Sequence, residues 1–127
     1  MKLKLIHQVA MLSNDLDETI SFYRDKLGAR FVARFDPPGL VFFDVNGTRL
    51  LFEKAAAKAT VYFRVDDIDS AYRELLEHGV VFVDQPHAIF RDEQGTFGQP
   101  GEEEWLAFFH DPSENLLALA TRKKTSS

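Results

Sequence analysis

Metal binding and proton transfer in this chain of 127 residues would fall to its four histidines and twenty carboxylates. There is no cysteine, which excludes disulfides, thiolate nucleophiles and cysteine-type zinc sites. The candidates singled out are His7, His78, His87 and His110, the Gln8 beside His7, and the carboxylates of Glu53 and the run Glu102-Glu103-Glu104. Three such groups brought within coordination distance would hold a divalent ion. His7 and Gln8 are consecutive in an extended run, so only one of them can face a given side of a sheet. His78 precedes Gly79 at a helix end, where a cation complements the dipole, and reads as a cap. His87 and His110 flank the hairpin of the second half; His87 is the better functional candidate, because its loop can fold over a cavity. Glu53 reads first as a solvated charge at a strand end, and Glu104, beside Trp105, can reach an opening. No glycine-rich phosphate loop and no nucleophilic triad is present.

The elements that position these groups are written twice. Asp15-Leu16-Asp17, Ile20, Phe22-Tyr23, Leu27-Gly28 and Phe31-Val32 are echoed by Asp67-Ile68-Asp69, Tyr72, Leu75, Gly79 and Phe82-Val83. The offset is 52 residues through the acidic triplet and 51 from the glycine onward. Each copy opens with an extended run, Leu3–Leu12 or Thr60–Val65, rich in apolar or β-branched residues. Asp15 and Asp67 then sit where a carboxylate caps a helix N-terminus. Leu16, Ile20, Tyr23 and Leu27 fall on one helical stripe, as do Ile68, Tyr72, Leu75 and Leu76. Gly28 and Gly79 stand where a helix ends in a left-handed residue.

Three extended runs follow each helix. In the first copy they are Arg30–Phe35, Leu40–Val45 and Thr48–Glu53, joined by Asp36-Pro37-Pro38-Gly39 and the hairpin turn Asn46-Gly47. In the second they are Val80–Asp84, Trp105–His110 and Leu116–Thr121, with a polar loop over 85–104 and the turn Asp111-Pro112-Ser113-Glu114-Asn115. The order is βαβββ twice: module 1 over about 1–54, module 2 over about 60–121, and a frayed tail over 122–127. Modules of this size bury too little alone, so one domain over 1–121 is expected. The fold class is α+β, the tandem modules forming a curved mixed sheet whose concave face is a natural ligand cavity.

Composition narrows the function. Fifteen basic against twenty acidic residues give a net charge of −5, and the one basic cluster is Arg122-Lys123-Lys124, so no nucleic-acid partner is expected. No apolar run approaches a membrane span and the start MKLKLIHQVAM is too short and polar for a signal peptide, so a cytoplasmic protein without membrane association is expected. Twelve Phe, three Tyr and one Trp are many for this length. Core packing accounts for most of them. A cavity lined by Phe52, Tyr62 and Trp105, with Gln8 and Arg49 as polar contacts, would suit a planar or amphipathic organic ligand.

The repeat, with Ile6-His7-Gln8-Val9-Ala10, Ser21-Phe22-Tyr23-Arg24-Asp25-Lys26-Leu27-Gly28 and Phe109-His110-Asp111-Pro112-Ser113-Glu114-Asn115-Leu116, resembles the vicinal oxygen chelate superfamily over nearly the whole chain. Leu40–Leu50 and Tyr62–Asp69 are most similar to its glyoxalase/bleomycin-resistance-like group. The resemblance implies the fold just described, a homodimer, and in many members a divalent metal held by His, Glu or Gln from the first and last strands of each module. Carried over, those positions fall on Gln8 (or His7, if one residue is inserted near Ser13-Asn14), near Leu50 with Glu53 three residues on, on Thr60 and on Ala118. Alanine cannot ligate and threonine is a poor ligand, so the ligand count does not favour a divalent metal; His7, Gln8 and Glu53 are weak candidates. The expectation is therefore a small-molecule-binding protein, its ligand touching Gln8, Arg49, Phe52, Tyr62, His87 and Trp105. Its rivals are a metal-dependent lyase, isomerase or dioxygenase drawing on His7 or Gln8, Glu53 and His87, and a non-catalytic antibiotic-sequestering resistance protein.

Overall fold

The computed structural model describes residues 1–125. The chain divides into two compact units, one of Met1–Ala59 with Asp111–Asn115, the other of Thr60–His110 with the chain from Leu116 onward. Each contains one βαβββ copy, and each closes its own four-stranded mixed sheet.

In the first unit, β1 (Gln8–Leu12), β2 (Arg30–Phe35), β3 (Leu40–Val45) and β4 (Thr48–Glu53) lie in the order β1-β4-β3-β2. β1 runs parallel to β4 and the other pairs are antiparallel. Period-two alternation sorts the side chains: Met11, Val41, Phe43, Leu50 and Phe52 are buried on one face. The helical segment covers that face with Ile20, Phe22 and Tyr23. Asn46 and Gly47, at φ 48° and 98°, make the left-handed two-residue turn that their types demand.

That helical segment explains the change of repeat offset. α1 (Leu16–Ile20), capped by the Asp15 carboxylate accepting from the Glu18 N–H, runs into a π-helical stretch at Ser21–Lys26. Its wider turn is visible in the Leu27 N–H donating to the Phe22 carbonyl at 3.1 Å, five residues back. The path from Asp15 to Gly28 is one residue longer than that from Asp67 to Gly79. The additional residue is housed by widening the helix, so Gly28 and Gly79 still end their helices at φ 72° and 86°.

In the second unit, β5 (Thr60–Arg64), β6 (His87–Asp92), β7 (Glu102–His110) and β8 (Leu116–Lys123) are ordered β5-β8-β7-β6. α2 (Ile68–Glu77) is capped by Asp67, whose carboxylate accepts from the Asp69 and Ser70 N–H groups. It packs on β7 and β8, and Ile68, Leu75, Val80, Ala107, Phe109, Leu117 and Leu119 form the core.

Three expectations need correction. The extended run at Leu3–Leu12 becomes a strand only from Gln8. The strand expected at Val80–Asp84 is reduced to one bridge, Phe82 to Phe109; the paired strand is β6, inside what reads as polar loop. β6 is a sheet edge with five of its six residues exposed, so no burial period marks it in the sequence. Finally, β8 continues through Lys123, so Arg122 and Lys123 are strand residues rather than tail. Residues 126 and 127 of the expected tail lie outside the described residues.

Candidate functional site

Each sheet has one face under its helix and one open face, and the register decides which side chain is where. In the first unit the open face carries a row of polar groups, Gln8 beside Arg49 beside Asp44 beside Arg30. Arg49 Nη2 donates to His7 Nε2 at 2.8 Å, and its guanidinium lies 5.8 Å from the centre of the Phe42 ring. A guanidinium only donates, so His7 Nε2 is the acceptor and spends its lone pair on Arg49. Glu53 shares the face of Gln8 but pairs in register with Leu12, four residues along β1 from Gln8, a separation of about 13 Å at strand rise. It lines a shallow cavity of about 500 Å³ with Ser13, Asn14, Leu40 and Lys54.

The residues present do not fit the metal centre that the resemblance implies. His7, Gln8 and Glu53 do not converge. Ala118 is fully buried and sits in register between Tyr62 and Phe108, with no atom to offer an ion. Thr60 pairs with Leu116. Among the described residues, no three of His, Asp and Glu are grouped so as to hold a metal.

The open face of the second unit is organised differently. Tyr62, Arg64, Glu104, Leu106, Ala120, Thr121 and Arg122 line a pocket of about 260 Å³. Registry builds it: Arg64 lies beside Ala120, Ala120 beside Leu106, and Arg122 beside Glu104. Tyr62 is half exposed, its ring 5.8 Å edge-to-face from that of Phe108.

Arg122 is the anchor of this pocket. Its side chain is only 7% exposed, although arginine is rarely buried unless paired. Nη2 donates to Asp92 Oδ2 at 2.8 Å, and Nε to Glu102 Oε1 at 3.0 Å. Nη1 is buried and, among the described residues, has no hydrogen-bond partner; the Glu104 carboxylate stands 4.0 Å from it. Asp92, itself 4% exposed, also accepts from the Phe97 and Thr96 N–H groups, and so moulds the loop between β6 and β7 around the arginine. The Phe97 amide foremost, with Thr96 and Arg122, holds the Asp92 carboxyl below the usual carboxylate range. Glu102 and Asp92 in turn hold the proton on Arg122 more tightly than in water.

The six residues expected to touch a ligand therefore divide. Gln8 and Arg49 are on the open face of the first unit, and Tyr62 is on that of the second. His87 is paired with Leu106 and so belongs to the same side as the pocket, but it opens strand β6 instead of riding on a loop, and its Nδ1 lies 3.0 Å from the Gln85 carbonyl. Phe52 and Trp105 are on the covered faces. Phe52 is fully buried, its ring centre 4.4 Å from that of Tyr23. Trp105 is stacked under Lys123, whose Nζ lies 3.8 Å from the ring centre and 2.7 Å from Asp69 on α2. Arg64 and Arg122 were not singled out from the sequence. The signal was available, because Arg122 is two and four residues from Ala120 and Ala118 and so must share their face once the strand is known to continue.

The motif at Asp111–Asn115 proves to be architectural. The Tyr23 hydroxyl donates to Asp111 Oδ2 at 2.7 Å, and Asn115 Nδ2 donates to the same oxygen at 2.8 Å. Asp111 Oδ1 accepts from the Ser113 and Asn115 N–H groups. Asn115 also donates to the Leu12 carbonyl and accepts from the Ala59 N–H, and Ser113 Oγ accepts from the Asn14 N–H. Burial first, then the adjacent Asp111 charge and the hydrogen bond to it, push the Tyr23 hydroxyl far above its ordinary ionisation range.

Comparison with known proteins follows the same lines. The model of the Glyoxalase/Bleomycin resistance protein/Dioxygenase superfamily matches residues 5–119. An uncharacterised protein of Bacillus subtilis strain 168, YraH, is 26% identical, the match covering 88% of this chain and 94% of that one. A glyoxalase/bleomycin resistance protein/dioxygenase structure from Alicyclobacillus acidocaldarius superimposes with a TM-score of 0.68 at 25% identity, covering 91% of this chain and 89% of that one. Lactoylglutathione lyase from Agrobacterium tumefaciens gives a TM-score of 0.71 at 21% identity and 94% coverage of both chains, a likeness of fold. Among the described residues no helix is long and apolar enough to cross a membrane.

Proposed function

The chain belongs to the Glyoxalase/Bleomycin resistance protein/Dioxygenase superfamily, and from that premise we propose that it binds a small organic molecule on the open face of its second unit, through side chains instead of a four-ligand metal centre. The observation that carries this reading is the pocket around Arg122, where an apolar floor of Leu106 and Ala120 is ringed by Tyr62, Arg64 and Glu104. Organic sites are built this way, mostly apolar with a few convergent polar groups. The non-converging His7, Gln8 and Glu53 argue against the metal-dependent lyase or dioxygenase alternative. A soluble cytoplasmic homodimer completes the proposal: β2 and β6 are sheet edges bearing exposed Val32, Phe35, Ile89 and Phe90, surfaces a second copy would cover.

The test is a thermal-shift screen of organic acids, amines and aromatic compounds against chelator-treated protein, repeated with Tyr62→Ala. Stabilisation by at least one compound, lost in the variant and unaffected by added Mg²⁺, Mn²⁺ or Zn²⁺, is the expected result. Stabilisation that appears only when a divalent ion is restored would overturn the proposal.

A further inference from the structure

We propose that the pocket of the second unit takes an amphoteric molecule of amino-acid type, its carboxylate on Arg64, its ammonium on Glu104 and its apolar side chain on Leu106, Ala120 and the Tyr62 ring. This rests on the reading of that pocket as the ligand site and specifies the ligand's chemistry.

The argument is one of unused bonding capacity. Arg64 is exposed at the pocket wall, and its guanidinium engages no hydrogen bond or ion pair among the described residues. A free guanidinium offers a planar fork of donors matched to a carboxylate. Glu104, at a side-chain exposure of 33%, makes a single ion-pair contact among the described residues, with Arg122 Nη1 at 4.0 Å, which leaves its acceptor sites open to a donor in the pocket. The Tyr62 hydroxyl likewise engages no hydrogen bond among the described residues.

Arg122 decides how those two charges work. Its Nε and Nη2 are spent on Glu102 and Asp92, and its Nη1 is walled off from solvent, so it is no landing place for a ligand. It is a positioning residue, fixing a positive charge 4.0 Å from the Glu104 carboxylate. Arg122 with Asp92 and Glu102 carries a net charge of −1, and Arg64 and Glu104 cancel. A purely anionic ligand would meet that surplus and the Glu104 carboxylate; a purely cationic one would meet unpaired Arg64. Only a molecule with both charges answers both walls.

Size agrees. At about 260 Å³ the pocket falls below the usual range of roughly 300–1,000 Å³ for drug-sized ligands, and suits a molecule of a dozen or so heavy atoms.

The test compares L-phenylalanine, 3-phenylpropanoate and phenethylamine, one ring carrying both charges, only the anion or only the cation. Each is titrated into the chelator-treated full chain at pH 7 and followed by amide chemical shifts. Phenylalanine is expected to bind at least tenfold tighter than either analogue, with shifts centred on β5, β7 and β8. Glu104→Gln should reduce it to the affinity of 3-phenylpropanoate, and Arg64→Met to that of phenethylamine. Arg64 is exposed and Glu104 a third exposed, and an unchanged melting temperature verifies that the variants fold. Either single-charge analogue binding as tightly as phenylalanine overturns the inference but leaves the organic site in place, as does failure of all three when another compound in the thermal-shift screen binds in a Tyr62-dependent way. Failure of every organic compound removes both.

Discussion

Replacing Tyr23 by phenylalanine should separate the polar function of this residue from its packing. The ring is fully buried and stacks among Phe22, Phe43 and Phe52 at centroid distances of 5.4, 5.7 and 4.4 Å, contacts that phenylalanine retains without leaving a cavity. What is lost is the 2.7 Å hydrogen bond from the hydroxyl to Asp111 Oδ2. Asp111 keeps three donors, the Ser113 and Asn115 amides and Asn115 Nδ2, so its carboxylate is not stranded. The cost is then that of one buried hydrogen bond to a charged acceptor, about 2 kcal/mol. For a chain of this size that corresponds to a fall in melting temperature of roughly 6–8 °C, at about 3–4 °C per kcal/mol.

The pH dependence checks the same argument independently. The Tyr23 hydroxyl ionises at about 10 in the unfolded chain and well above that in the folded protein. A group whose value is raised on folding stabilises the fold fully below its unfolded value, and that contribution is lost as pH rises beyond it. Between pH 8 and pH 11 the parent should therefore give up about 1.4 kcal/mol that the variant does not, shrinking its lead from about 2 to about 0.6 kcal/mol. Urea unfolding at the two pH values measures the lead directly. A lead below about 0.5 kcal/mol at pH 8, or one that does not narrow at pH 11, would refute the reasoning, which rests on the strength charge-assisted bonds usually show.

Other consequences follow from the same structure. Asn115→Ala removes three side-chain hydrogen bonds at a fully buried position and should destabilise by about 3 kcal/mol in urea unfolding, more than Tyr23→Phe. Gly95 has φ 71°, and a Cβ there would lie 2.8 Å from the Gly98 carbonyl oxygen and 2.9 Å from Pro100 Cγ; Gly95→Ala should cost about 1–2 kcal/mol and speed amide exchange across 93–101. Because the folded protein holds the Asp92 carboxyl below its ordinary range, its stabilisation is present above the unfolded value near 4 and is lost as pH falls through the folded one. Asp92→Asn should therefore flatten the acid limb of a melting-temperature profile between pH 5 and pH 2, and an acid limb as steep as the parent's would contradict this.

Much of this fold was written into the sequence, because its signals are local. The repeat, the aspartate caps at Asp15 and Asp67, the helix-ending Gly28 and Gly79 and the Asn46-Gly47 turn each need only a few neighbouring residues to act. Even the one-residue change of offset was visible as a number; that it became a π-helical stretch under Tyr23 follows from the need to keep Ile20, Phe22 and Tyr23 on the sheet. β6 was hidden because an edge strand buries little and so carries no period.

The candidate site divides along the same line. That alanine stands at position 118 and threonine at position 60 is a property of the sequence, and it limits metal ligation whatever the fold does. Which of two alternating faces a side chain occupies is a property of register. Phe52 and Trp105 have the composition of ligand walls, yet register sends one beneath Tyr23 and the other beneath Lys123. Arg122 looks like part of a basic tail until β8 is seen to run on through it. With only 7% of its side chain exposed, it is forced to gather Asp92 and Glu102, residues 30 and 20 positions away, because a guanidinium removed from water must find its partners wherever the chain has brought them.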